Sequence, residues 1–470
     1  MTFRTPHSLV ESFRFGVACR TLPFGVCLGL VLLGGFVTGC TATDVVARAP
    51  CNTDRDCGDS PCLGGTCTPP VNVCDRPFSQ VGLAADPPRV GCGGGLAETA
   101  FRFALCACDG LATDFPVQSD TYDSREGLAF SAGGSVGANG RVAATDTVDV
   151  GGSLWVRNGA GMALGVAGAT IAQDLRVGGD LTGTAVTVAG NAFVAGRIQL
   201  SQLDVSGTLT QPIGATLDVT NANLGAQVAS SVDVPEVCSC DPSTFVDVSA
   251  LVEGRRTEND NAAIGLDARV LDSFDSPRTL TLPCGSFYLD RVFGTAPVSI
   301  VATGAAALFI RGDLVLNESL EVRVEGTGTL DLFVSGSVTT RPGLRVGSRE
   351  SASRVRLYLG GEGTLFFGAD SEIGAHVYAP RTELVTDGAF AVYGSAFVRR
   401  LAAGGPLTLH YDRAILEAGA DCPDAPAACD SCLDCRNQAC IGGRCGACGD
   451  DADCCPPLSC ISGSCQARLL

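Results

Sequence analysis

The residues of this chain best equipped for chemistry are its cysteines, 25 in 470 residues. CNTDRDCGDSPCLGGTC places Cys51, Cys57, Cys62 and Cys67 with gaps of five, four and four residues. CDSCLDCRNQACIGGRC repeats those gaps at Cys429, Cys435, Cys440 and Cys445, with Cys432 inserted. CGDDADCCPPLSCISGSC repeats them again from Cys448 to Cys454 and from Cys455 through Cys460 to Cys465. Each copy is too short to bury an apolar core, so the spacing predicts small modules ordered by internal disulfides. Eight more cysteines stand between them: Cys74, Cys92, Cys106, Cys108, Cys238, Cys240, Cys284 and Cys422. Four of these form the twins CAC and CSC, whose cross-pairing would clasp the stretch between them at its ends. The competing chemistry is metal binding, by the twins or by the tandem C-x-x-C at 429, 432 and 435; no histidine lies near either. The expectation is disulfides throughout, with no metal and no cofactor.

That expectation needs an oxidising compartment, and the N-terminus supplies one. Three arginines precede the apolar run LPFGVCLGLVLLGGFV (22–37), which has the length of a signal-peptide core and is short for a membrane span. The run ends in VTGC, which resembles a bacterial lipobox. The resemblance implies that Cys40 receives a diacylglycerol, that cleavage exposes it, and that acylation of the new terminus gives an anchor of several chains. Thr41 rather than Asp follows, which implies the outer membrane. Processing removes Cys19 and Cys27 and consumes Cys40, leaving an even 22 cysteines for pairing.

Other catalytic chemistry is thin. All 32 basic residues are Arg, which excludes Schiff-base, pyridoxal and P-loop chemistry, and a net charge of -18 disfavours nucleic acid as a partner. GGSVG (133–137) matches the nucleophile pattern G-x-S-x-G, yet nothing after Ser135 reads as the helix an elbow requires. Beyond residue 39 only His376, in GAHVYAP, and His410, in LHYD, remain; both occupy strand positions, and Asp412 could orient His410 or close a turn. A polysaccharide lyase or hydrolase would need clustered carboxylates, whereas Asp and Arg are spread along the repeats. An ice-binding array would need regular threonines, and only fragments such as TGTAVTV (182–188) come near.

The elements that position these residues follow from a short period. VTVAGNAFVAGRIQLSQLDV (186–205) presents apolar doublets with one residue between members, at Val186 and Val188, Ala192 and Val194, Ile198 and Leu200, Leu203 and Val205. The same doublets occur at Val148 and Val150, Leu154 and Val156, Leu175 and Val177, and Leu217 and Val219. Short strands burying alternate residues between Gly, Asn or Asp corners build a parallel β-solenoid whose coil has three sides of about six residues; a β-sandwich would want longer strands. After a stretch without the period, in which DVSALVEG predicts a short helix capped by Asp247, the pattern returns with bulkier residues.

Those bulkier segments, LFIRGDL, LDLFVSG, HVYAP, VYGSAFV and HYD, carry a resemblance over about 300–416. They look like an uncharacterised family of extracellular β-solenoid domains of Gram-negative, including myxobacterial, lipoproteins, and more distantly like the polymer-forming bactofilins. The cysteine copies resemble short cysteine-rich repeats of bacterial surface proteins and the dickkopf-type module. The resemblance implies fold and carries no activity.

The sequence thus predicts an all-β protein, a parallel β-solenoid in two repetitive blocks flanked by disulfide-rich modules. Its segments are a lipoprotein signal (1–39), a linker (40–50), a cysteine-rich module (51–73), a cap segment (74–127), a first solenoid block (128–237), a non-repetitive insert (238–297), a second block (298–421) and two tandem modules (422–470). The functional expectation is a non-catalytic, lipid-anchored outer-membrane element with a structural, adhesive or scaffolding role. It would be a monomeric rod whose partner is a glycan or surface protein, and polysaccharide binding or degradation is the alternative.

Overall fold

The computed structural model describes residues 100–417, apart from 160, 341–343 and 369–370, and short stretches within 62–67 and 439–467. Cys40, Cys51, Cys57, Cys74, Cys92, Cys422, Cys429, Cys432, Cys435, Cys448 and Cys455 lie outside the described residues.

Alternation fixes the rungs. In Leu154–Val156, Leu175–Val177 and Ala192–Val194 the first and third residues are buried and the middle one half-exposed, and the three strands pair in parallel, Leu154 beside Leu175 beside Ala192. Each coil has three sides. In chain order from Asp272 they are face 1 (Val292–Gly294), face 2 (Val298–Ala302) and face 3 (Ala305–Ile310), and about thirteen coils stack along these faces. At about 4.8 Å per parallel pair the rod is about 60 Å long. Corner polar residues knit successive coils: Asn191 N–H donates to Asp174 Oδ1 at 2.8 Å, and Thr208 N–H to Asn191 Oδ1 at 3.0 Å. Gly183, at φ +155°, lets the chain pass against the Val166 carbonyl, where a Cβ would collide.

The two runs of coils form one solenoid, and they do so out of sequence order. Phe390–Ala403, near the end of the second run, pairs in parallel with Leu105–Thr113, the first strand of the first run. Leu407–Asp412 likewise pairs with Val117–Asp123. The rod therefore reads 272 to 412 and then 105 to 229, with a seam in the middle. Coils begin at Leu105, inside the expected cap segment, and resume at Asp272, inside the expected insert.

Chain continuity then demands a strap from one end of the rod to the other, and 230–271 is that strap. Val237 N–H donates to Asn139 Oδ1 at 3.0 Å near the seam. Val246 N–H donates to the Tyr378 hydroxyl oxygen at 3.1 Å, and the helix Val248–Gly254 follows, with Asp247 accepting from Ala250 N–H as its cap. The Arg255 guanidinium lies 5.8 Å above the Phe309 ring, and Asn261 reaches Tyr288 at the first wide coil. The predicted helix is thus present, serving as part of a cover along face 3 rather than as an interruption of the repeat.

The cysteine twins pair with each other as Cys106–Cys238 and Cys108–Cys240, each closing a sequence separation of 132. They pin the strap beside the seam, so the expectation of a clasp at the ends of the repetitive stretch is corrected: Cys106 and Cys108 lie on a mid-rod strand. Cys284 and Cys454 are also disulfide-bonded. In each cysteine-rich module the last two framework cysteines face one another across an antiparallel pair, Cys62 opposite Cys67, Cys440 opposite Cys445 and Cys460 opposite Cys465. No helix among the described residues is long and apolar enough to cross a membrane.

Candidate functional site

The seam brings together what the sequence holds apart. Tyr393, His410 and Asp120 are consecutive rungs of face 2, because Tyr393 is registered with His410 and His410 with Asp120. Their shared outward direction follows from strand alternation. His410 Nδ1 lies 2.7 Å from Asp120 Oδ1, 290 residues away in sequence. The imidazole stacks on Tyr393 at 4.5 Å on one side and meets Phe130 at 4.5 Å on another. Phe130 comes from Gly127–Ser131, an edge strand antiparallel to Val117–Asp123, and is 45% exposed. The Arg349 guanidinium sits 5.3 Å above the Tyr393 ring and also pairs with Glu372 at 3.2 Å.

Asp412 does not orient His410. It is fully buried, and its carboxylate accepts from the backbone N–H groups of Ser124, Ala414 and Ser353 at 2.9–3.1 Å, so it closes turns. Beside it Asp123 is held down to about 2, first by its hydrogen bond from Arg125, with burial opposing and Arg413 adding. Burial raises the Tyr393 phenol, and a neighbouring Arg349 moderates the rise.

Chemically, a carboxylate accepting from Nδ1–H leaves Nε2 free to accept a proton or a ligand. Catalysis needs more. No described hydroxyl or thiol hydrogen-bonds the ring, and the surrounding carboxylates are tied to arginines, Glu372 and Glu350 to Arg349, and Glu126 and Asp123 to Arg413. What the cluster does offer is a partly exposed aromatic surface flanked by an imidazole, a guanidinium and carboxylates, which suits stacking on a polar ring.

His376 has the opposite setting. It lies on face 3 under the Phe101 ring, 5.2 Å away, fully buried, with Nδ1 2.7 Å from Ser395 Oγ and no partner for Nε2. Burial, helped by the nearby Arg356, lowers its pKa to about 3, so it is a neutral packing group. Arg356 in turn donates to Asp331 at 2.9 Å. Ser135 is also placed away from any site: its hydroxyl accepts from Ser153 N–H at 3.0 Å, and the strand Val136–Ala138 follows it where an elbow would need a helix. Among the described residues no cluster of three or more His, Cys, Asp or Glu could hold a metal ion.

Residues 229–418 match the model of a domain of unknown function (DUF7305). The match covers the strap, the wide coils and the last coils before the seam. His410, Tyr393 and Arg349 thus lie inside the matched stretch, whereas Asp120 and Phe130 lie outside it. Neither a curated protein nor a solved structure matches the chain. Sequence reasoning singled out His410 and missed Asp120, Tyr393 and Phe130 as its neighbours, because nothing local announces a pairing between segments 290 residues apart.

Proposed function

We propose that the protein is a lipid-anchored rod of the outer membrane with a structural or adhesive role, tethered through Cys40 and presenting its lateral faces to the surroundings. The observation that carries this reading is the build of the rod. One continuous solenoid is bound along its length by its own chain and pinned by two disulfides, while its titratable residues are spent on corners, turns and ion pairs. Such a body keeps its shape without a bound ligand. The extracytoplasmic setting is supported by the cross-paired twins, since disulfides persist where thiols are not kept reduced.

A second reading, polysaccharide binding, is favoured by one observation, the half-exposed Phe130 beside Tyr393 and His410. Membrane fractionation of the Cys40→Ser variant tests the anchor: release from the membrane fraction or failure of processing is expected, and unchanged processing and fractionation would remove it. Incubating the protein with immobilised polysaccharides separates the roles at the seam. Retention lost in Phe130→Ala without release of sugar supports binding, whereas turnover makes the protein an enzyme.

A further inference from the structure

The two ends of the rod differ in a way that assigns one of them a partner. At the Asp272 end, the edge of Gly285–Leu289 is closed by the strap. Asp260 N–H donates to the Ser286 carbonyl, and its Oδ2 accepts from Ser286 N–H, both at 2.7 Å. Asn261 does the same for Tyr288, Nδ2 donating to its carbonyl at 2.7 Å and Oδ1 accepting from its N–H at 2.9 Å. Two side chains and a turn thereby stand in for the next strand, and all of Gly285–Leu289 is buried.

The last coil at the opposite end, Leu217–Ala229, has no such cover among the described residues. Every residue of that strand is exposed or half-buried, whereas one coil further in Ile198, Leu203 and Leu209 are fully buried. Register places Leu217, Val219, Ala222 and Leu224 directly over Ile198, Leu200, Leu203 and Val205, so the apolar centre of the rod is open there. Their backbone groups are open as well. Inward residues direct N–H toward the following coil, as Leu181 does to Arg197 O and Ile198 to Thr216 O, and Leu217–Ala229 has no following coil among the described residues. Of the usual protections of an edge only one charge, Asp218 at the start of the strand, is present: residues 219–232, VTNANLGAQVASSV, contain no charge and no proline.

We propose that this end binds a second copy of itself, tail to tail, the final coils of two rods abutting across a two-fold axis perpendicular to the rod. A matching surface must offer three strand edges around an apolar centre of the same outline. Among the described residues only the two rod ends have that outline, and at the other the Asp260–Asn261 cap blocks one of the three edges, that of Gly285–Leu289. Contact of the same patch on both copies is what a two-fold demands, and it ends in a closed pair rather than a filament. For a chain of net charge -18, the uncharged 219–232 segment is also where two copies repel least. The expectation of single rods rested on the cysteine twins, the non-repetitive insert and the disulfide modules obstructing the ends; the twins sit at the seam, the insert covers the Asp272 end, and the modules lie largely outside the described residues.

The test is the molar mass, by sedimentation and light scattering, of the mature chain with Cys40→Ser and its disulfides intact. Ala222 is exposed, so a charge there leaves folding alone while meeting its own copy across the axis. Twice the monomer mass at tens of micromolar is expected for the parent, a return to monomer mass for Ala222→Asp and for Ala222→Lys separately, and restored double mass when those two are mixed. A parent of monomer mass, filaments that lengthen with concentration, or Ala222→Asp and Ala222→Lys proteins that still pair alone would each overturn the proposal.

Discussion

In the coils of 105–229 a strand such as Leu175–Val177 buries its two outer members and leaves Arg176 half-exposed, whereas in Ala305–Ile310 the outward Phe309 is as buried as the inward Leu308 and Ile310. Coils of the narrow half take as few as 17 residues, as from Leu175 to Ala192, and those of the wide half as many as 25, as from Leu330 to Val355. One half lines its bore with Leu, Val and Ala; the other adds, outside the bore, a ladder of rings. Phe309, Phe333 and Tyr358 stack at 4.8 and 4.6 Å, nearly parallel. The difference teaches where the second layer lies. A strand buried on both sides carries apolar residues at both parities, and what buries the outer side of face 3 is the strap with its short helix.

The strap is therefore the first place to break the comparison. Cys106–Cys238 and Cys108–Cys240 close nearly the same loop of 132 residues, so whichever forms first takes almost all of the chain-entropy gain, about 5 kcal/mol for a loop of that size. Removing one pair, as Cys108→Ser with Cys240→Ser, should shift the urea midpoint little. Removing all four should cost about 5 kcal/mol and first loosen the strap over the wide half, read as new proteolytic cleavage within 241–271. A loss from one pair that is half the loss from both would mean that the two bonds act independently.

The cores should also differ in what they tolerate. Phe333, fully buried between two stacked rings, should cost about 3–5 kcal/mol as Phe333→Ala. Val177→Ala, one fully buried position of the narrow bore, loses two methyl groups' worth of burial and should cost about 2 kcal/mol. Because coils in a solenoid depend mainly on their neighbours, hydrogen exchange should localise each loss to its own half. Loss spread evenly over the rod would show that the seam welds both halves into one cooperative unit.

How much of this the sequence disclosed depends on whether the signal was local. Doublets such as Leu154 and Val156 have a period of two that only a strand satisfies, and Asp247 before VSALVEG marks a helix start, so rungs and helix were legible. The pairing of the CAC and CSC twins was legible as a possibility, but its position was not. Stacking Phe397 beside Cys106 joins residues about 290 apart, and because every coil edge offers the same unpaired backbone, no residue type betrays which edge meets which. The His410 neighbourhood inherits that blindness: Asp120 and Phe130 belong to it only through the seam. One further clue is local. LFI, LDLFV and VRLYL are apolar at both parities, which required a cover, and 238–271 was the non-repetitive stretch able to supply it.

The smallest expected effect is a pH dependence confined to the wide half. His376, under Phe101, has its pKa lowered from 6.5 to about 3 by burial first and Arg356 second; the groups around it are Ser395, Phe101, Arg356 with its partner Asp331, and Tyr358. A depressed histidine pKa means that the unfolded chain takes up a proton below pH 6.5 while the folded chain does not. Stability from this group is therefore complete above 6.5, falls as pH drops toward 3, and is level below that, with a slope of about 1.4 kcal/mol per pH unit. Between pH 6.5 and 5.0 the wide half should lose about 2 kcal/mol by urea titration, well above the range in which Asp123 begins to titrate. His376→Gln, of similar reach to Ser395 but without a titrating ring, should start less stable and stay level across that interval. A slope that survives His376→Gln would place the proton uptake on another group.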